Sequence, residues 1–249
     1  MDLGLAGRVA IVTGGSRGIG RAIARELAAE GADVAICARQ RQPLDEAARA
    51  LAAETGRRIV PVVADTMSSE SVFHLVEATL AALGRVDVLV NNASTPGGMV
   101  RGPLAEADDK ILLEDIDTKV VGYLRCAKAV APHMRRSGWG RIVNIGGLSG
   151  RRSGNISGLR NAAIVHLTKT MADELGAHGI TVNLVHPGLT RTERTDADTE
   201  RRGAANAIRR IVDAQEIGQV VAFLASTKAG NITGVAIDAS GGSIPVMFQ

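Results

Sequence analysis

Aromatic side chains are nearly missing from this sequence: one Trp, one Tyr and three Phe in 249 residues. Proteins that hold single-stranded nucleic acid stack bases on aromatic platforms, and this chain has too few to build one. An excess of one charge is also lacking, since the formal net charge is only +3. The basic pairs Arg151-Arg152, Arg201-Arg202 and Arg209-Arg210 are too short to form a phosphate-tracking stripe, so no nucleic-acid partner is expected. Cysteine is limited to Cys37 and Cys126, which match neither a disulfide framework nor a metal motif. Metal is not expected. No apolar run approaches the length of a membrane span, and residues 1–5 do not read as a signal peptide. The expected location is therefore cytoplasmic, with no membrane partner.

What is present is a regular alternation. Apolar runs at 9–12, 33–37, 59–63, 86–90, 141–145, 181–185 and 235–237 read as short buried strands. Between them lie segments with helical spacing, notably 44–55, 69–83, 113–136, 162–177 and 217–226. Alternating strands and helices imply a parallel sheet with right-handed crossovers. The expected fold is a Rossmann-like, doubly wound α/β sheet of about seven strands with helices on both faces. Without a linker, a repeat or a low-complexity tract, residues 1–249 are read as one domain.

The first strand runs into Thr13-Gly14-Gly15-Ser16-Arg17-Gly18-Ile19-Gly20, and a helical pattern follows at once. Glycines at a strand-to-helix turn let the backbone approach a ligand, and the exposed N–H groups of the new helix attract an anion. A dinucleotide pyrophosphate suits that place.

Together with Asp65 after the third strand, Asn91-Asn92-Ala93 after the fourth, Pro187-Gly188 after the sixth and Gly241-Gly242 near the end, the chain resembles the short-chain dehydrogenase/reductase family, and within it the 3-oxoacyl-reductase-like members. The resemblance covers essentially the whole chain. It implies NAD or NADP binding, oxidation of alcohols or reduction of ketones, and a tetramer or dimer. A hetero-oligomer with an active relative is the other assembly considered. On the family pattern, Gly14, Ser16, Arg17, Gly18, Ile19 and Gly20 would cradle the cofactor phosphates. Asp65 would meet the adenine edge, Asn91 and Ala93 the ribose side, and Pro187, Gly188, Thr190 and Thr192 the nicotinamide side. An acid after the second strand would select NAD; here the strand ends Ile36-Cys37-Ala38-Arg39. Arg39 and Arg17 can hold a 2′-phosphate through charge-assisted bonds, so NADP(H) is favoured over NAD(H).

The family's chemistry uses a Ser, a Tyr and a Lys in the pattern Y-x-x-x-K, with an upstream Asn. Hydride delivery to a carbonyl leaves an alkoxide that needs a proton, which the Tyr phenol supplies. This chain has no Y-x-x-x-K. Flanking segments set the register and place Lys119 at the Asn position, Gly147 at the Ser, Ser157 at the Tyr and Asn161 at the Lys. The expected result is an NADP(H)-binding relative without the standard chemistry, catalytically silent or atypical. Two alternatives stand beside it: an active NADP-dependent oxidoreductase or redox-neutral enzyme using replacement groups such as Lys119 and Tyr123, which share a helix face, or a non-enzymatic interaction module. Asn161 retains the ability to bond the nicotinamide ribose. His186, just before Pro187, is weighed as a proton donor, while His133, His166 and His178 are read as structural or surface residues. The charged stretch 190–210 reads as a solvated loop; the resemblance implies a substrate lid there, whose charge would suit a polar substrate or a partner surface. The apolar tail ending Ile244-Pro245-Val246-Met247-Phe248-Gln249 reads as buried at a subunit interface.

Overall fold

The computed structural model describes residues 2–100, 102–151 and 155–244. The expected subunit-interface role of the tail from Pro245 onward lies outside the described residues.

Strand β1 (Val9–Thr13) is buried at every position, as a strand covered by helices on both faces must be. It is followed by α1 (Gly18–Ala29), which turns Ile23, Ala24, Leu27 and Ala28 inward. The chain continues as β2 (Asp33–Ala38), α2 (Arg41–Thr55), β3 (Ile59–Val63), α3 (Ser69–Leu83) and β4 (Val88–Asn91). Next come α4 (Asp109–Ile116), a π turn at Asp117–Val121, α5 (Gly122–Ser137), β5 (Gly140–Ile145), α6 (Gly158–Leu175) and β6 (Ile180–Pro187). The last part holds β7 (Thr190–Arg191), α7 (Ala197–Gly203), β8 (Val212–Asp213), α8 (Ala214–Ala225) and β9 (Ala236–Ala239).

Seven strands form one parallel sheet in the order β3-β2-β1-β4-β5-β6-β9. One apolar layer joins the sheet to α1, α2 and α8 through Ile23, Leu27, Leu44, Leu51, Ile217 and Val221. The other joins it to α3, α5 and α6 through Leu75, Val76, Cys126, Val130, Met171 and Leu175. This is the expected Rossmann-like arrangement. Strand order reverses between β1 and β4, which opens a crevice beyond their carboxyl ends.

Three local differences from the sequence reading matter. The helical pattern at 113–136 is two helices joined by the π turn, which adds a residue to one turn and re-aims its side chains. Helix α6 begins at Gly158, well before residue 162. The charged stretch after Pro187 is partly ordered, since β7 pairs with β8 and α7 is capped by Asp196 Oδ1, which accepts from Thr199 N.

Candidate active site

The crevice is a cleft of about 910 Å³ running from Arg39 and Gln40 to Ser149 and Ser157. Its floor begins at the glycine turn. Gly14 and Gly18 adopt left-handed φ of 67° and 56°. A Cβ on Gly20 would lie 2.3 Å from the Gly14 carbonyl oxygen, so the helix can start this close to the turn only with glycine there. Thr13 Oγ1 accepts from the backbone N–H groups of Asn92 and Ala93 at 2.9 and 3.0 Å, which locks the turn to the end of β4.

Of the residues expected at a cofactor, Gly14, Ser16, Arg17, Gly18, Ile19, Gly20, Arg39, Asp65, Ala93, Asn161, Pro187, Gly188, Thr190 and Thr192 all line this cleft. Arg17 and Arg39 are exposed at its rim. Asp65 also closes its own turn, accepting from Met67 N at 3.0 Å. Asn91 differs from expectation. It is the last residue of β4, opposite Asn144 in β5, and is fully buried. Its amide donates to Asn144 Oδ1 at 2.9 Å and to the Tyr123 carbonyl, so the side chain faces the interior and Asn92 takes the lining position.

Lys119 is also buried but belongs to the cleft lining. The π turn directs it across the floor, where Nζ donates to the Gly146 carbonyl at 2.9 Å and to Asn161 Oδ1 at 2.8 Å. Burial holds this amine well below the usual lysine range; the Arg160 guanidinium acts in the same direction and Asp115 opposes it. Arg160 and Asp115 form a buried ion pair at 2.5 Å, and Arg160 also donates to the Thr95 carbonyl. Together they tie the loop after β4 to α6.

Tyr123 does not reach the cleft. The phenol is sealed under β5 and donates to the Ile145 carbonyl at 2.9 Å, and burial raises its pKa further above the ordinary phenol. The predicted shared face of Lys119 and Tyr123 is split by depth: one reaches the floor and the other lies below it. Ser157 is buried as well, with Oγ accepting from Val100 N at 3.0 Å. Gly147 donates its N–H to His186 Nδ1 at 2.9 Å. That bond requires an unprotonated Nδ1, and burial lowers the His186 pKa to about 4. His186 borders a separate cavity of about 250 Å³ with Gly150, Ala162 and Ala236, and so is no proton donor to the main cleft.

Sequence reading missed Ser149, which lines the cleft and accepts from Asn161 Nδ2 at 2.8 Å. It also missed Glu193, whose Oε2 accepts from Gly18 N at 3.1 Å, placing a carboxylate on the N-terminus of α1. Most charges in the stretch after Pro187 pair with one another, as in Arg191 with Glu200 and Asp213. Cys37 and Cys126 are buried free thiols, Cys37 pushed up to about 12 by burial. Among the described residues there is no metal-ligating cluster, and no helix is long and apolar enough to cross a membrane.

Comparison with known proteins agrees with this architecture. The family model for enoyl-(acyl carrier protein) reductase matches residues 14–243. The 3-oxoacyl-[acyl-carrier-protein] reductase FabG of Escherichia coli is 39% identical over 246 residues, covering 95% of this chain and 97% of that protein. The short-chain reductase protein NovJ of Streptomyces niveus is 35% identical over 248 residues, covering 94% and 93%. The L-sorbose reductase of Gluconobacter frateurii, solved with NADPH and L-sorbose, superposes with a TM-score of 0.91 at 30% identity, covering 99% of this chain and 100% of that one.

Proposed function

The chain belongs to the short-chain dehydrogenase/reductase family, and on that premise we propose that it is an NADP(H)-binding, atypical oxidoreductase whose acid–base group is Lys119. One observation carries the reading: Lys119 Nζ lies 2.8 Å from Asn161 Oδ1 inside the cleft. The family pattern puts an asparagine at 119 and a lysine at 161. Here the two residue types stand in each other's positions and their side chains touch. The ammonium therefore returns to the neighbourhood it would occupy on α6, but from the opposite helix.

The cleft fits a dinucleotide on its own geometry. Glu193 already presents an anion to the Gly18 N–H, where a pyrophosphate belongs. With no acid at the end of β2, Arg39 and Arg17 are placed to pair with a 2′-phosphate. When bound, the reduced nicotinamide supplies a hydride to a carbonyl carbon. Lys119 then supplies the proton that the carbonyl oxygen requires, leaving a neutral amine that solvent re-protonates. Its depressed pKa makes it a stronger acid than a surface lysine, closer to the matching that acid–base catalysis favours. The Gly146 carbonyl and the Asn161 amide hold the ammonium in place meanwhile.

A second reading, a catalytically silent cofactor-binding subunit working beside an active relative, draws support from Ser157 and Tyr123. Both hydroxyls are committed to backbone atoms. Calorimetric titration with NADPH and NADH tests cofactor binding. NADPH consumption with small polar ketones, comparing wild type with Lys119→Met, decides between the readings. Turnover that collapses in the variant supports the enzyme. NADPH-selective binding with no turnover supports the silent subunit, and no binding of either nucleotide overturns both.

A further inference from the structure

The orientation of the Asn161 amide follows from its neighbour. Oδ1 faces Lys119 Nζ at 2.8 Å, and an ammonium has only protons to offer. Nδ2 must then be the end that lies 2.8 Å from Ser149 Oγ. An amide nitrogen donates and does not accept, so Ser149 Oγ accepts in that bond. The proton on Ser149 Oγ is left for another partner, and none is found in the protein among the described residues. Ser149 sits in the short turn Leu148–Gly150 and faces the cleft beside Lys119 and Asn161.

Gly147 explains why the hydroxyl comes from 149. A Cβ at 147 would stand 2.8 Å from Asn161 Nδ2. The backbone there is extended, with φ of 175°, so conformation does not demand glycine; space does. Asn161 fills the room that a side chain at 147 would need. Ser157, the other hydroxyl nearby, is committed to Val100.

We infer that Ser149 is a catalytic residue whose O–H holds the reacting oxygen of the substrate, paired with the Lys119 ammonium across the Asn161 amide. This rests on the oxidoreductase reading and adds the second donor that reading lacks. In the reduction, the carbonyl carbon takes the hydride and the C=O π pair moves to oxygen. That oxygen takes its proton from Lys119, while Ser149 keeps its own proton and contributes a hydrogen bond only. Two donors aimed at one oxygen stabilise the charge that develops there. The surrounding lining of Ser94, Thr95, Glu114 and Thr118 suits a small carbonyl compound bearing hydroxyls.

The probe is [2-13C]hydroxyacetone added to the NADP+-loaded protein, which cannot deliver hydride. A hydrogen bond to the carbonyl moves the carbon resonance downfield. The shift is expected in wild type and in Ser149→Thr, and in Ser149→Ala is expected to shrink to the part that Lys119 alone supplies. Asn161→Asp should reduce it in the same way, because a carboxylate would take the Ser149 proton for itself. In turnover, Ser149→Ala should lower kcat by on the order of 10²–10³ with NADPH affinity unchanged. No shift in wild type, or a shift of undiminished size in Ser149→Ala, overturns the assignment. A Ser149-dependent shift without any NADPH consumption overturns the oxidoreductase reading and leaves the Ser149 donor standing.

Discussion

The Lys119 ammonium and the Asn161 amide oxygen meet at 2.8 Å, joining the π turn between α4 and α5 to the first turns of α6. Contacting residues in one hydrogen-bond network couple by about 0.5–3 kcal/mol. Asn161→Lys alone brings two ammonium groups together and should destabilise the fold. Lys119→Asn alone leaves the Gly146 carbonyl without its donor. The double exchange should restore much of the stability lost by the single variants, measured by urea unfolding of all four proteins. Strictly additive losses would show that the two side chains are not partners. In activity, Lys119→Met should lower kcat by roughly 10²–10⁴, the usual cost of a lost acid.

The same burial gives Lys119 a pH signature. Its folded pKa is depressed, while the unfolded value is about 10.4. Between the two, the unfolded chain binds the proton that the folded chain refuses, so this residue makes stability rise with pH across that window. Lys119→Met should remove that part of the slope. Denaturation midpoints followed across the alkaline range below the ordinary lysine value will show it, and an unchanged slope counts against a buried amine.

Arg39 directly follows β2, in the place where an acid would select NAD. A charge-assisted bond to phosphate is worth about 1.5–3 kcal/mol. Arg39→Ala should therefore weaken NADPH about tenfold or more by calorimetry and leave NADH within about twofold. Equal losses for both nucleotides would mean that Arg39 serves the fold or the adenine rather than the 2′-phosphate.

Glu193 reaches Gly18 N from the segment that follows β7, at 3.1 Å. An anion at a helix N-terminus gains about 0.3–1 kcal/mol when exposed, and a cofactor phosphate has to displace this one. Glu193→Gln should tighten NADPH binding by roughly two- to fivefold, with a steeper gain at low salt. Weaker binding in the variant would instead make Glu193 a support for the cofactor.

Much of the fold is legible in the sequence because buried parallel strands leave short, wholly apolar runs, as in Val9-Ala10-Ile11-Val12. The glycine turn is legible for a steric reason, since no other residue fits at Gly20. The π turn leaves no such trace, because one inserted residue hardly disturbs a helical pattern. Tyr123 and Lys119 do share a face, with Nζ 5.9 Å from the centre of the Tyr123 ring, but they end at different depths. The inward direction of the Asn91 side chain is not legible because β4 extends one residue further than its apolar run, and the alternation of the strand turns it away from the cleft. Ser149 has no sequence signal at all. Its role depends on Asn161, whose amide direction is set by a lysine forty-two positions away.

His186 offers a test of the loop that carries Ser149. Its Nδ1 accepts the Gly147 N–H at 2.9 Å, and its pKa is held at about 4, chiefly by burial. Lys119 and Arg151 face it and push the same way, while Asp238 opposes them. Above the ordinary histidine value near 6.5 both folded and unfolded forms are neutral, and below about 4 both are charged. Between those limits only the unfolded chain takes the proton, so stability falls as pH drops, by on the order of 3 kcal/mol in total. His186→Gln keeps a side-chain oxygen for Gly147 but cannot titrate. The wild type should therefore lose more stability than the variant between pH 7 and pH 4.5 in urea unfolding. The position of the Gly147 loop depends on the same acceptor, so binding and turnover should weaken in that window in the wild type first. Parallel pH profiles for the two proteins would show that His186 is charged, or solvated, in the folded state.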